Sequence, residues 1–209
     1  MNEILGSFVV IEGLDGAGTT TQLRLLERRF AEERVPGHCT CEPTSGPVGT
    51  VIRAALAGRV RLEPRTLALL FAADRWEHIN SPETGVRDRL ARGEVVVSDR
   101  YLFSSLAYQG VEWSFDGVLD LHRDFPLPAH VIYVDTPVEV SQARLAGRAG
   151  RDLYDSADLQ RRVAACYERA FATLASTRAL LHRVDGRLPP DRIAEEIWKV
   201  VLSLPIIRA

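Results

Sequence analysis

The segment GLDGAGTTTQ, Gly13 to Gln22, holds the residues with the plainest chemical purpose. It follows the apolar run FVVIE, Phe8 to Glu12, and precedes LRLLERRF, whose spacing is helical. Strand, glycine-rich turn and helix are the setting of a phosphate-binding loop. In the formula G-x-x-x-x-G-K-[ST], Gly13, Gly18 and Thr20 fall on their marks. Backbone N–H groups at the helix N-terminus then converge on an anion, and the Thr20 hydroxyl suits a magnesium ion. Threonine stands at position 19, where the formula has lysine. An ordinary strand-to-helix turn is the other reading of the same residues.

Two further groups carry chemistry. Asp99 and Arg100 leave the apolar run VVVS, and the planar fork of an arginine matches a phosphate. The same two residues also read as an ion pair capping the next helix. In LLFAADRWEHI, Phe71 and Arg75 are four apart and share a helix face. Together they can stack on and hydrogen-bond to a flat heterocycle. By spacing alone, a core phenylalanine with a surface arginine fits better. His38, His78, His122, His130 and His182 lie in unremarkable settings and form no hydrolytic triad or metal-ligand pattern. Cys39, Cys41 and Cys166 lack a companion pair at zinc spacing and read as reduced structural thiols.

The elements that must position these groups follow from short valine- and isoleucine-rich runs alternating with helical patterns. Strands are expected at Phe8–Glu12, His38–Cys41, Val95–Ser98, Val131–Asp135 and Leu181–Val184. Helices are expected at Thr20–Glu33, Val48–Ala57, Pro64–His78, Pro82–Ala91, from Ser104 onward, Val138–Leu145, Leu159–Thr177 and Pro190–Leu202. Apolar strands separated by helices predict an α/β fold, a five-stranded parallel sheet with helices on both faces. Ligands then gather at the C-terminal strand ends, where GLDGAG, DRY and DTP sit. The segment 146–158, rich in glycine, arginine and aspartate, reads as a lid within a single domain spanning 1–209.

The 209 residues are 46% hydrophobic and 26% charged, an ordinary globular balance. A net charge of −2 argues against a nucleic-acid partner. No apolar run approaches the ~20 residues of a membrane span. The N-terminus has no signal-peptide pattern, so a cytoplasmic protein is expected. Of 26 basic residues only Lys199 is lysine, and its place on a helical pattern reads as a solvated face. A cation that touches a phosphate here is therefore an arginine.

The chain resembles the thymidylate kinase family of P-loop nucleoside monophosphate kinases. The resemblance rests on FVVIEGLDGAGTTTQ, EPTSGPVGTVIR, LLFAADRWEHI, VVVSDRYLFSSLAYQG, VIYVDTPVEVSQAR and GRAGRDLYD, in family order. It implies the three-layer P-loop NTPase fold and transfer of the ATP γ-phosphoryl group to dTMP with Mg2+. Gly13, Leu14, Asp15, Gly16, Ala17, Gly18, Thr19, Thr20 and Thr21 would form the ATP side, with Arg144 against adenine. Phe71 would stack on thymine, Arg75 would bond its exocyclic oxygen, and Ser104 or Ser105 would lie near the base edge. Tyr108 would lie under the deoxyribose, with Glu42, Pro43, Arg53 and the lid residue Tyr154 bordering dTMP. Arg100 would hold the acceptor phosphate. Asp15 would contact the 3′-hydroxyl or a metal-bound water, and Asp99 joins Thr20 as a metal-side oxygen donor. A homodimer is the family's common state.

Thr19 cannot neutralise a phosphate. Ala17 occupies the position where some members carry a catalytic arginine, so the resemblance points to Arg148 and Arg151 of the lid. These complete a catalytic set with Asp15 and Arg100. Two alternatives stay open: a regulatory protein that kept the dTMP pocket and lost catalysis, and a kinase of dUMP, a modified pyrimidine monophosphate or a nucleoside.

Overall fold

The computed structural model describes residues 3–146 and 156–208. Five strands form one parallel sheet: β1 (Ile4–Gly13), β2 (Gly37–Cys41), β3 (Val95–Asp99), β4 (Leu127–Asp135) and β5 (Leu180–Asp185), in the order β2-β3-β1-β4-β5. Central strands of a parallel sheet are covered on both faces, which is why β3 is buried at every position. The alternation along β1 divides the core. Phe8 and Val10 pack on one side with Tyr101, Phe103, Leu106, Tyr167 and Phe171. Val9 and Ile11 pack on the other with Leu26, Phe30, Ile193 and Ile197.

The second side is covered by α1 (Thr19–Glu33) and α9 (Pro190–Leu202). Gln22, Leu26 and Phe30 recur every four residues, the buried stripe of a helix lying on a sheet. The first side carries α5 (Leu102–Gln109), buried at every position, and α8 (Ala157–Ala172). Gln160, Val163, Tyr167, Ala170 and Phe171 form the inward face of α8. Between β2 and β3 lie α2 (Pro47–Leu56), α3 (Pro64–Asn80) and α4 (Val86–Ala91); α7 (Val138–Leu145) follows β4.

β1 and β4 each begin four residues earlier than expected, at Ile4 and Leu127, and three helix boundaries differ notably. The helix expected from Pro82 begins at Val86, because Glu83 takes φ 67° and Gly85 is the N-cap. The helix expected to run to Thr177 is α-helical only to Ala172 and closes as a 3-10 turn over Thr173–Ser176. The helix from Ser104 onward widens into a π-helical stretch, Gly110–Ser114, before α6 (Phe115–Leu121), whose N-cap Ser114 accepts from Gly117 N–H. A short α10 (Pro205–Arg208) ends the described chain. Among the described residues, no helix is long and apolar enough to cross a membrane.

Candidate active site

The C-terminal ends of β1, β2 and β3 open onto a cleft of about 410 Å3. Its lining joins the glycine-rich loop (Asp15, Gly16, Gly18, Thr19, Thr20) to Glu42, Pro43, Arg53, Phe71, Arg75, Asp99, Arg100, Ser104, Ser105 and Tyr108. Leu23, Cys41, Leu56, Tyr101 and Gln109 complete the wall. Most residues singled out by sequence therefore share one cavity.

The loop needs its glycines. Gly16 and Gly18 adopt φ 86° and 100°, the left-handed region, and a Cβ on Gly16 would lie 2.6 Å from the Ser141 carbonyl oxygen. Gly18 is the N-cap of α1, so Thr19 is its first residue. The Thr19 side chain is buried, whereas Thr20 is exposed. Thr20 Oγ1 donates to Asp99 Oδ2 at 2.7 Å. The other Asp99 oxygen is buried without a hydrogen-bond partner among the described residues. A hydroxyl beside an unsatisfied carboxylate oxygen is a hard-oxygen donor set that fits Mg2+.

Arg100 ties the loop to the rest of the cleft. Its Nη2 lies 2.6 Å from Asp15 Oδ1. Its Nη1 donates to Gly13 O at 3.1 Å, Ser104 Oγ at 3.1 Å and the Tyr167 hydroxyl at 3.4 Å. The guanidinium stands 5.2 Å from the Tyr108 ring centroid. The Tyr108 hydroxyl accepts from the Asp15 N–H at 3.0 Å. The Asp99–Arg100 capping pair is not formed: Asp99 pairs with Thr20, Arg100 with Asp15, and α5 has no side-chain cap.

Arg75 reverses the surface position that spacing alone favoured. It is 1% exposed, while Phe71 is half-buried at the cleft. A guanidinium leaves water only when its donors are met, and here Glu42 Oε2 accepts from Nε at 2.8 Å and lies 2.6 Å from Nη2. Ser105 Oγ accepts from Nη2 at 3.1 Å, and His122 Nε2 from Nη1. His122 Nδ1 donates to the Val118 carbonyl at 2.7 Å, which leaves the Nε2 lone pair facing Arg75. Burial first, and then the Arg75 charge, push the His122 pKa down to about 3. The remaining Glu42 oxygen bonds His78 Nδ1 at 2.9 Å, and His78 Nε2 meets Thr40 Oγ1 at 2.9 Å. Beside Arg75, the Asp74 carboxylate accepts from Thr44 N–H and Oγ1, each at 2.7 Å. Two consecutive residues of α3 thus hold the loop that follows β2, where the Glu42–Pro43 peptide bond is cis.

His78 and His122 are therefore not in the unremarkable settings their sequence contexts suggested. Nor are His130 and His182, stacked on adjacent strands with Nδ1 and Nε2 2.8 Å apart. Imidazole roles depend on partners distant in sequence, which local sequence does not display. The two serines expected as alternatives at a base edge separate: Ser105 turns to Arg75, Ser104 to Arg100 and Glu12. Arg53 bonds the Pro43 carbonyl. Arg144 lies outside the cleft lining, donating to Ala17 O at 3.3 Å and Gly186 O at 2.8 Å. Gly13, Leu14, Ala17 and Thr21 lie outside that lining too. Arg148, Arg151 and Tyr154, with most of the expected lid, fall outside the described residues. The cysteines are free, and burial pushes the Cys39 thiol up to about 12, in keeping with a structural role.

Sequence reasoning missed Glu12, Asp74, Gln160 and Tyr167. Glu12 is fully buried at the end of β1 and accepts from Tyr101 N–H, Ser104 N–H and Oγ, and the Tyr167 hydroxyl. Burial pushes its carboxyl up to about 7, against the lowering pull of Ser104, Arg100, Tyr167 and Tyr101. One signal was legible: an acid closing a run of buried apolar residues must find partners.

A profile of the thymidylate kinase family matches residues 11–197. The chain belongs to the thymidylate kinase family. A putative thymidylate kinase of Treponema pallidum is 46% identical over 169 residues, 80% of each chain. A thymidylate kinase of Thermomicrobium roseum is 39% identical over 205 residues, 94% of this chain and 95% of that one. The solved structure of thymidylate kinase from Candida albicans superposes with a TM-score of 0.77, covering 94% of this chain and 91% of its own at 23% identity. That likeness establishes the fold: a five-stranded parallel sheet wrapped by helices.

Proposed function

We propose that the protein transfers the γ-phosphoryl group of ATP to dTMP, giving dTDP and ADP, with threonine in place of the P-loop lysine. The observation that carries this reading is the continuity of the cleft. One cavity holds the phosphate loop, an aromatic plane at Phe71, a buried arginine at Arg75, and Arg100. In this reading Phe71 stacks on the base, Arg75 bonds its exocyclic oxygen, Tyr108 supports the sugar and Arg100 holds the acceptor phosphate. Asp15 contacts the 3′-hydroxyl or a metal-bound water. Thr20 and Asp99 are the groups that would hold Mg2+. When bound, that ion neutralises charge on the transferring phosphates. The chain's own contribution is then placement and cationic hydrogen bonding at the equatorial oxygens, with no covalent intermediate.

Thr19 bears on the rate. A missing donor to the transferring group typically costs about 10²–10³ in rate, a modest part of a total acceleration of about 10⁶–10¹⁷. Arg148 and Arg151 are proposed to supply the replacement charge. The buried, uncharged Thr19 also favours a second reading, a nucleotide sensor that binds dTMP without turnover. ADP release with ATP and Mg2+, with and without dTMP, separates the two when run beside Thr19→Lys. Turnover that depends on dTMP in the native protein is expected. Native silence with intact dTMP binding, and activity restored by lysine, would overturn the kinase reading in favour of the sensor.

A further inference from the structure

Arg100 is held in an unusual way. Its φ of 75° lies in the left-handed region, where a residue with a Cβ is strained unless its surroundings impose it. The Arg100 N–H donates to Ile11 O at 2.9 Å and its carbonyl accepts from Ser98 Oγ at 2.8 Å, while the turn that follows it is held by Glu12, on the neighbouring strand. Glu12 Oε1 accepts from the N–H groups of Tyr101 at 2.9 Å and Ser104 at 3.3 Å, the backbone immediately after the strained residue. Glu12 Oε2 accepts from Ser104 Oγ at 2.6 Å and from the Tyr167 hydroxyl at 3.0 Å.

These two hydroxyls are the ones that accept from Arg100 Nη1. In its ionised form, which prevails above about pH 7, Glu12 only accepts. It then draws the Ser104 and Tyr167 hydroxyl protons toward itself, in competition with Gly13 O for the second, and leaves their lone pairs facing the guanidinium. The same acid thus holds the turn after Arg100 through two amides and reaches its side chain through relayed hydroxyls, without touching the guanidinium.

We propose that Glu12 is the positioning residue for Arg100, holding the turn that follows it and setting the direction of its guanidinium toward the acceptor phosphate. The proposal rests on the reading of Arg100 as the holder of that phosphate. Tyr167, on α8, serves as the second relay.

The test compares, at pH 8, where Glu12 is ionised, calorimetric affinities for dTMP and for thymidine, which lacks the phosphate, across the native protein, Glu12→Gln, Tyr167→Phe and Arg100→Gln. Glutamine presents an NH2 donor to a ring of donors. Loss of a charge-assisted contact predicts dTMP binding weaker by roughly 10-fold or more, with thymidine unchanged within about twofold. Tyr167→Phe, which removes one hydroxyl from a retained ring, should move in the same selective direction and covers the case of a poorly folding Glu12→Gln. If Arg100→Gln loses dTMP selectively while Glu12→Gln and Tyr167→Phe weaken both ligands equally or neither, Glu12 is a structural acid and the proposal falls. If Arg100→Gln leaves the dTMP preference intact, the assignment of Arg100 fails first and the proposal with it.

Discussion

Replacing Glu42 by glutamine probes how the cleft keeps a full positive charge out of water. The variant preserves shape and removes one negative charge. The side chains of Glu42 and Arg75 are 2% and 1% exposed. The other hydrogen-bond partners of Arg75 are the Ser105 hydroxyl and His122, an imidazole whose pKa, pushed down to about 3, keeps it neutral. The variant therefore leaves the guanidinium unneutralised, and the new NH2 group faces either Arg75, a donor, or His78 Nδ1, which must change tautomer to accept from it.

Removing one partner of a buried ion pair costs about 3–5 kcal/mol, a large share of the ~5–15 kcal/mol that holds a domain together. With a urea dependence of about 2–3 kcal/mol per molar, the unfolding midpoint should fall by roughly 1–2.5 M. Urea titration followed by circular dichroism reads that shift. Steady-state kinetics should show KM for dTMP rising about tenfold or more, the value of a lost charge-assisted contact, with KM for ATP nearly constant. A destabilisation below ~1 kcal/mol, typical of an exposed pair, together with an unchanged KM, would refute the reasoning.

The pH dependence of stability should have two opposed limbs. His122 takes a proton near 6.5 when unfolded but only near 3 when folded, so stability falls as pH drops through that window, by up to about 1.4 kcal/mol per pH unit. Glu12 acts the other way: folded it keeps its proton up to about 7, against 4.5 unfolded, so stability falls as pH rises from 4.5 to 7. Urea midpoints measured from pH 4 to 8 should therefore show a steeper acid-side loss in Glu12→Gln and a shallower one in His122→Gln; unchanged profiles would contradict both assignments. Arg148→Ala combined with Arg151→Ala should remove nearly all phosphoryl transfer while leaving dTMP binding largely intact. Unchanged turnover would place the compensating cation elsewhere.

Much of the site was legible because its logic is local. Glycines at 16 and 18 announce positive φ, and an apolar run before them with helical spacing after them places the loop at a strand end. The same holds for Asp99 and Arg100 at the exit of β3, whose unbroken valines mark a central strand. The central strands β1, β3 and β4 were legible for that reason, each being a run of side chains that only a two-sided sheet can bury, whereas the edge strands β2 and β5 are only partly buried. Helix ends were less so, because Pro82 suits a turn as well as a helix start.

What sequence alone determined, then, was the parallel sheet, the glycine-rich loop at the C-terminal end of its central strand and the family to which the chain belongs. Only the tertiary structure decided how each charged side chain is held. Arg75 is buried because Glu42, Ser105 and His122 arrive from 33, 30 and 47 residues away. Glu12 meets Tyr167 across 155 residues. Periodicity reports which face of an element avoids water. It carries no information about which distant donor satisfies a buried charge, and that pairing is set when the sheet brings its strand ends together.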